Sequence, residues 1–284
     1  MPKLGIVTDS TCDIEPSELA KLDVEMVPLS VHFGDTHFRD WIDLQPEEFY
    51  RKLQAAAALP TTSQPPPAEF LATYCRLAEQ GCEEILVITL ASALSGTYES
   101  ASLAAKDAPV NVRVLDGRRA SLGTGLILHA AVAAREAGLD MDGVEGCALQ
   151  VAQSTRLFFL LDTMEYLVKG GRAGIATALA ASLLNIKPVL QVNAEGVVEP
   201  FKKVRGRQQA IATLAQHVAD ESRHFGRLRV ALLHAQVEGE AEELESALVA
   251  ANADVDIMLR GVIGAVIGTY TGPGAVGIAY YPIG

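Results

Sequence analysis

Short apolar runs separated by helix-length stretches recur through the first half of the chain, and this rhythm limits its fold more than any other feature. Leu4 to Val7 opens the series, and Glu25 to Phe33, Ile85 to Leu90 and Val112 to Leu115 continue it. Helical stretches near Glu15 to Leu22, Pro46 to Ala57, Phe70 to Leu77 and Leu122 to Ala137 fall between or after them. Runs this short, bounded by turn residues, read as strands. Strands that alternate with helices call for crossover connections, which predict a parallel sheet covered on both faces.

Beyond about Ala152 the texture changes. Leu157 to Leu161 reads as an apolar strand, followed by a glycine-rich turn, an Ala/Leu helix to Leu184 and strands flanking Asn193 to Gly196. Helices over Gln208 to Ser222 and Glu240 to Ala251 enclose a strand at Arg229 to Leu233. The expected organisation is an N-terminal parallel-sheet α/β/α domain over residues 1–152 and a C-terminal mixed-sheet α/β domain over 153–284. Gly261 to Gly284 carries no charge and is long enough to cross a bilayer, but Gly261, Gly264, Gly268, Gly272, Gly274, Gly277 and Pro273 predict strand, tight loop and strand instead. Stable membrane insertion is not expected.

Composition narrows the partners. Of the 284 residues, 49% are hydrophobic, enough to build a core. The formal charge of -12 repels polyanions and so argues against nucleic acid. Cys12, Cys75, Cys82 and Cys147 show no CxxC spacing, and the N-terminus passes straight into a strand-like run. Reduced thiols in the cytoplasm are the expectation. No nucleotide-binding glycine motif and no metal-binding pattern occurs, so neither a cofactor nor a metal is implied.

Ligands of open parallel sheets bind beyond the carboxyl ends of the strands. Three hydroxyl-rich segments stand at such places: Thr8 to Asp13, Thr61-Thr62-Ser63-Gln64-Pro65, and Ser92 to Tyr98, which includes Ser95 and Gly96. The last two precede helices, one of them started by Pro65 to Pro67. Free amides at a helix start and adjacent hydroxyls suit an anion, although the same residues also serve as ordinary caps. Asp9 and Asp13 fit either a site or an Asx turn. His129 lies on an apolar helix face, as a hydrogen-bonded core histidine would. Two basic groups, Lys169 with Arg172 and Lys202, Lys203, Arg205 with Arg207, could steer an acidic partner on this acidic protein.

Taken in order, Thr8 to Asp13, Pro60 to Pro65, Ser92 to Ser100, Tyr166 to Ala173 and Gly272-Pro273-Gly274 resemble the DegV family from Thr8 onward. The resemblance implies a long-chain fatty acid, such as palmitate, held between two domains. It also implies presentation of the acyl carboxylate to a separate ATP-binding subunit of fatty acid kinase, whose acyl phosphate product feeds phospholipid synthesis. By the same resemblance Thr62 and Ser95 are the carboxylate ligands, with Ser63, Ser92 and Gly96 beside them, and Tyr270 stands where the family pattern often has histidine. A phenol donates a hydrogen bond as imidazole does, but its ordinary pKa near 10 keeps it neutral at pH 7. Ile127 to Ala134 and Ala176 to Leu184 are candidates to line the acyl tunnel. Two other functions fit the residues: a serine hydrolase or acyl or phosphoryl transferase using Ser95, and a stand-alone lipid buffer or sensor.

Overall fold

Leu4–Asp9 (β1) is buried at all six positions, as a strand covered on both faces must be. It pairs in parallel with Val24–Val27 (β2) and Glu84–Thr89 (β6), and β6 pairs in parallel with Asn111–Asp116 (β7). This four-stranded sheet has the order β2-β1-β6-β7. The computed structural model describes residues 2–177 and 186–283.

A second, six-stranded sheet is built from Arg156–Leu160 (β8), Ile186–Val192 (β9), Val198–Arg205 (β10), Leu228–His234 (β11), Val255–Val262 (β12) and Val276–Pro282 (β13). Its order is β10-β9-β8-β13-β11-β12, antiparallel except at the β11–β12 edge. Ser30–Phe33 (β3), Thr36–Arg39 (β4) and Thr61–Ser63 (β5) form a small antiparallel sheet. The α/β class and the parallel-then-mixed division expected from the sequence are what the chain adopts.

Helices stack these sheets into layers. Pro67–Glu79 (α3) and Thr97–Ala105 (α4) cover one face of the parallel sheet, and Leu122–Glu136 (α5) and Met141–Ser154 (α6) cover the other. The far side of α5 packs on β11 and β13, so this helix lies between the two sheets. Its sequence accounts for that: Leu122 to Leu128 is buried without interruption, and a helix apolar all round must be enclosed. Ile88, Leu126, Leu157 and Ala279 therefore share one core that crosses the boundary at 152/153. Arg207–Phe225 (α8) and Glu238–Ala250 (α9) close the outer face of the second sheet over a separate cluster around Leu214, Val230 and Leu244. Pro16–Lys21 (α1), Pro46–Ala55 (α2), Glu165–Lys169 (α7) and Ala265–Thr271 (α10) complete the fold.

The structure corrects several sequence expectations. Glu25 to Phe33 is not one strand: Pro28 has no N–H to donate, and β2 and β3 on either side of it enter different sheets. Helix α6 was not anticipated, although Met141, Val144, Ala148 and Ala152 carry its spacing and Asp140 caps it through the Gly143 amide at 3.0 Å. In place of a loop between the last two strands stands α10. The Ala/Leu helix expected up to Leu184 falls largely outside the described residues. The expected hydrogen-bonded histidine at position 129 is not found, because its buried Nε2 has no partner among the described residues. Among the described residues no helix is long and apolar enough to cross a membrane. All four cysteines are free thiols.

Three buried carboxylates hold these parts in register. Asp9 accepts the amides of Thr11 at 2.9 Å and Leu90 at 2.8 Å, tying the end of β1 to the loop after β6. Asp13, in the left-handed region at φ 54°, accepts the Gly264 amide at 2.9 Å and the Ser121 hydroxyl. Asp40 accepts the Ala265 amide at 3.1 Å. Burial pushes all three carboxyls above the ordinary carboxylate range, Asp40 to about 7.

A carboxyl with a raised folded-state pKa keeps a proton that the unfolded chain loses first. Its contribution to stability is therefore present at low pH and lost as pH rises through the folded value. For Asp40 that window runs from about 4 to about 7. Asp40→Asn keeps an acceptor for Ala265 and removes the charge. Thermal melts are expected to place this variant above the wild type at pH 8, with the gap closing toward pH 5; an equal gap at both pH values would exclude the assignment.

Candidate functional site

Beyond the carboxyl ends of β2, β6 and β7, a cavity of about 350 Å³ opens between the two large sheets. That lies at the small end of the range for ligand pockets, roughly 300–1,000 Å³. Most of its wall is apolar. Leu157 and Phe159 come from β8, Val192 from β9, Val198 from β10 and Leu233 from β11, while Leu29, Leu90 and Leu94 approach from the first half. Val266, Ile267, Tyr270 and Thr271 line it from α10.

The polar groups are few. Thr62 and Ser63 lie on β5, which pairs with β3 so that Thr62 faces Val31 across the ladder. The Thr62 and Tyr270 hydroxyls are 2.5 Å apart. Ser95 and Gly96 stand at the start of α4, whose N-cap is Gly96, so first-turn amides lack helical acceptors there. The Ser95 hydroxyl is 2.9 Å from that of Thr97, and either group can donate. A hydroxyl is no general base, and the nucleophile reading of Ser95 gains no activating partner from this contact. Ser63 meets His32 Nε2 at 3.0 Å.

Two residues of this wall exceed what the sequence suggested. Gln64 donates to the Ser100 hydroxyl at 2.9 Å, and its carboxamide covers Gly96 so closely that a Cβ there would overlap it. A Cβ at Gly96, whose φ is an ordinary negative one, would have to displace the flexible Gln64 carboxamide and with it the bond to Ser100. Arg172, read from the sequence as a docking residue, lines the cavity: it donates to the carbonyl oxygens of Gly170 at 2.8 Å and Leu94 at 3.4 Å, and its guanidinium sits 4.9 Å from the centre of the Tyr270 ring. Neutral donors and one cation therefore share the polar end, an arrangement able to hold a carboxylate.

Other sequence candidates lie elsewhere. Thr8 to Asp13 does not reach this cavity, because Thr8 donates to the Ile88 carbonyl, Ser10 accepts from the Leu29 amide and Thr11 bonds to Asp9. Ser92 gives its hydroxyl and amide to Asp116, at 2.6 and 3.1 Å, and borders an adjoining polar hollow with Ser95, Gly96 and Arg172. Ile127, Leu128, Ala131 and Val132 are packed in the core and do not line the cavity. Of Ala176 to Leu184, only the first two residues are described, and neither lines it.

Lys169 pairs with Glu165 at 2.6 Å on the exposed face of α7. Lys202 lies 5.3 Å from the centre of the Phe201 ring, and Arg205 is exposed at the end of β10, roughly 23 Å along the strand from Val198 at ~3.3 Å per residue. Arg207 turns inward, donating to Glu240 at 2.7 Å and to the Gly274 carbonyl oxygen. It is no part of an open basic surface.

Comparison with known proteins agrees with this architecture. A family model, DegV ("Uncharacterised protein, DegV family"), matches residues 3–283. A DegV domain-containing protein of Deinococcus radiodurans is 40% identical over 283 residues, covering 99% of both chains. The structure of a fatty-acid-binding DegV family protein from Thermus thermophilus superimposes with a TM-score of 0.92 at 34% identity, over 99% of this chain and 100% of that one. DegV from Bacillus subtilis, a fatty acid binding protein, superimposes with a TM-score of 0.90 at 30% identity over the whole of both chains.

The packing at Gly96 gives a direct test of the polar wall. Gly96→Ala is expected to destabilise the protein by about 1 kcal/mol in urea unfolding, the scale of the Gln64–Ser100 hydrogen bond that the displaced carboxamide gives up. In a Gln64→Ala background the same change should cost less than half as much. An equal cost would mean that the carboxamide is not what excludes the methyl group.

Proposed function

The chain belongs to the DegV family, and from that premise we propose that it binds a long-chain fatty acid, such as palmitate, and presents the carboxylate to a separate ATP-binding kinase subunit. The observation that carries this reading is the division of the cavity into an apolar body and a polar end where Thr62, Ser95, Tyr270 and Arg172 converge. The relatives named for fatty acid binding have the same fold over their full length.

An acyl chain supplies affinity through burial: ~14 methylenes at about 0.8 kcal/mol each amount to roughly 11 kcal/mol before ordering losses. The carboxylate requires compensation, since an ion left without partners in an apolar cavity is strongly disfavoured. Hydroxyls from Thr62, Ser95 and Tyr270, the amide of Gly96 and the Arg172 guanidinium supply it in this reading, with Ser63 at the rim and Ser92 in the adjoining hollow. Residues 1–152 then bring most of the head-group wall, and residues 153–284 most of the acyl wall. In this reading Lys169, Arg172, Lys202 and Arg205 are the cations that meet a partner on a protein of charge -12, and the protein serves in the cytoplasm as a non-catalytic binding subunit.

Mass spectrometry of the purified protein after solvent extraction is expected to find a fatty acid near unit stoichiometry; a protein that leaves empty and takes up no added fatty acid would refute the reading. Thr62→Val with Ser95→Ala should weaken retention by about a hundredfold or more, since each of the two hydrogen bonds to a charged group contributes ~1.5 kcal/mol or more. Lys202→Glu with Arg205→Glu, both outside the cavity, tests the partner. With ATP and the kinase subunit present, phosphorylation of the bound acid should fall while the lipid stays in place, and undiminished phosphorylation would exclude the docking face.

A further inference from the structure

Helix α10 brings Tyr270 to Thr62, yet little in its own sequence favours a helix there. It has seven residues, includes Gly268, and follows Gly264, an N-cap residue without a side chain. The missing caps arrive from more than two hundred positions earlier in the chain. Asp13 accepts the Gly264 amide and Asp40 the Ala265 amide, at 2.9 and 3.1 Å. From α2, the Tyr50 hydroxyl donates to the Ile263 carbonyl oxygen at 3.0 Å. Asp13, Asp40 and Tyr50 are 3%, 1% and 0% exposed, so none of these bonds is exchanged readily for water.

The other end of the helix is equally constrained. Gly268 lies against the Phe49 and Tyr50 rings, and Gly170 lies against the Tyr270 ring, each so close that a Cβ would overlap the aromatic carbons. Packing along its length therefore holds α10 between its N-terminal anchor and the Gly170, Arg172 and Thr62 contacts of Tyr270. The Ser121 hydroxyl, which donates to Asp13, itself lines the cavity. Asp13 thus touches the cavity wall and the base of the helix together.

We infer that Asp13, Asp40 and Tyr50 are positioning residues for the head-group site: by capping α10 from outside, they set the Tyr270 hydroxyl against Thr62 and so tune how tightly a carboxylate is held. The inference rests on the fatty-acid reading above. None of the three lies on the acyl cavity; they act through the helix.

A double-mutant cycle against Tyr270→Phe separates positioning from general destabilisation, because residues that act through one group are not additive with its removal. Binding of cis-parinaric acid, followed by its fluorescence, is the readout. Asp40→Ala is expected to weaken binding about five- to tenfold when Tyr270 is present and less than threefold when it is Phe. Asp40→Asn, which keeps an acceptor for the Ala265 amide, should stay within twofold of the wild type. Tyr50→Phe retains the ring and serves if Asp40→Ala does not fold: it should cost about two- to threefold with Tyr270 and nothing measurable with Phe. Equal losses in both backgrounds would overturn the positioning role while leaving fatty acid binding intact. If the wild-type protein takes up no cis-parinaric acid, the fatty-acid reading and this inference fall together.

Discussion

Carboxylates withdrawn from water and answered by backbone amides connect the distant parts of this chain. Asp9, Asp13 and Asp40 stand within the first 40 residues, and their acceptor atoms reach Leu90, Gly264 and Ala265. An amide needs an acceptor once it is buried, and a buried carboxylate needs donors, so each bond becomes obligatory in both directions. The ends of β1 and β6, and the start of α10, are located by this mutual need. The cavity is the space those locations leave between the sheets, and its shape follows from groups that do not line it.

The sequence made the layered architecture legible because hydrophobic periodicity reports burial directly. Completely apolar runs such as Leu4 to Val7 mark strands covered on both faces, and the all-round apolar character of Leu122 to Leu128 marks a helix between layers. What it could not report was long-range capping. Glycines 261, 264 and 268 argue locally against a helix, and only Asp13 and Asp40, placed by tertiary structure, reverse that preference. The split at Pro28 was visible as a single residue whose missing N–H ends one ladder, but the change of sheet that follows depends on where β3 finds partners. For the site, the Thr62 and Ser95 segments could be read as places where hydroxyls precede a helix. Thr8 to Asp13 has the same composition and a different fate: its hydroxyls bond inward to Ile88, Leu29 and Asp9. Composition identifies groups able to bind an anion, and topology decides which of them face a cavity. Arg172 could be read only as a surface cation and Gln64 only as part of a hydroxyl-rich run, because their places in the cavity wall arise from tertiary neighbours, Leu94 and Tyr270 for the one and Gly96 and Ser100 for the other.

The polar end combines groups of different character. Hydroxyls of Thr62, Ser95 and Tyr270 are directional and uncharged, whereas Arg172 brings a fixed charge while its N–H groups are partly engaged by carbonyl oxygens and its plane by the Tyr270 ring. A cation already engaged attracts an anion less than a free one, but it is held in place and loses less freedom when the anion arrives. Arg172 also stands where the acyl cavity and the neighbouring polar hollow meet, since it lines both.

Strand order has a consequence for the sequence of events in the cell. β13 lies in the interior of the six-stranded sheet, between β8 and β11, although it is made more than a hundred residues after β8. Until residue 282 leaves the ribosome, β8 and β11 each expose an unpaired edge, and the Leu157–Leu161 run has no cover on that side. The parallel sheet, complete by Asp116, can assemble while synthesis continues. The second sheet must wait for β13, and with it the far side of α5, which packs on β11 and β13, stays uncovered. The position of a single late strand thus decides when the second sheet can close.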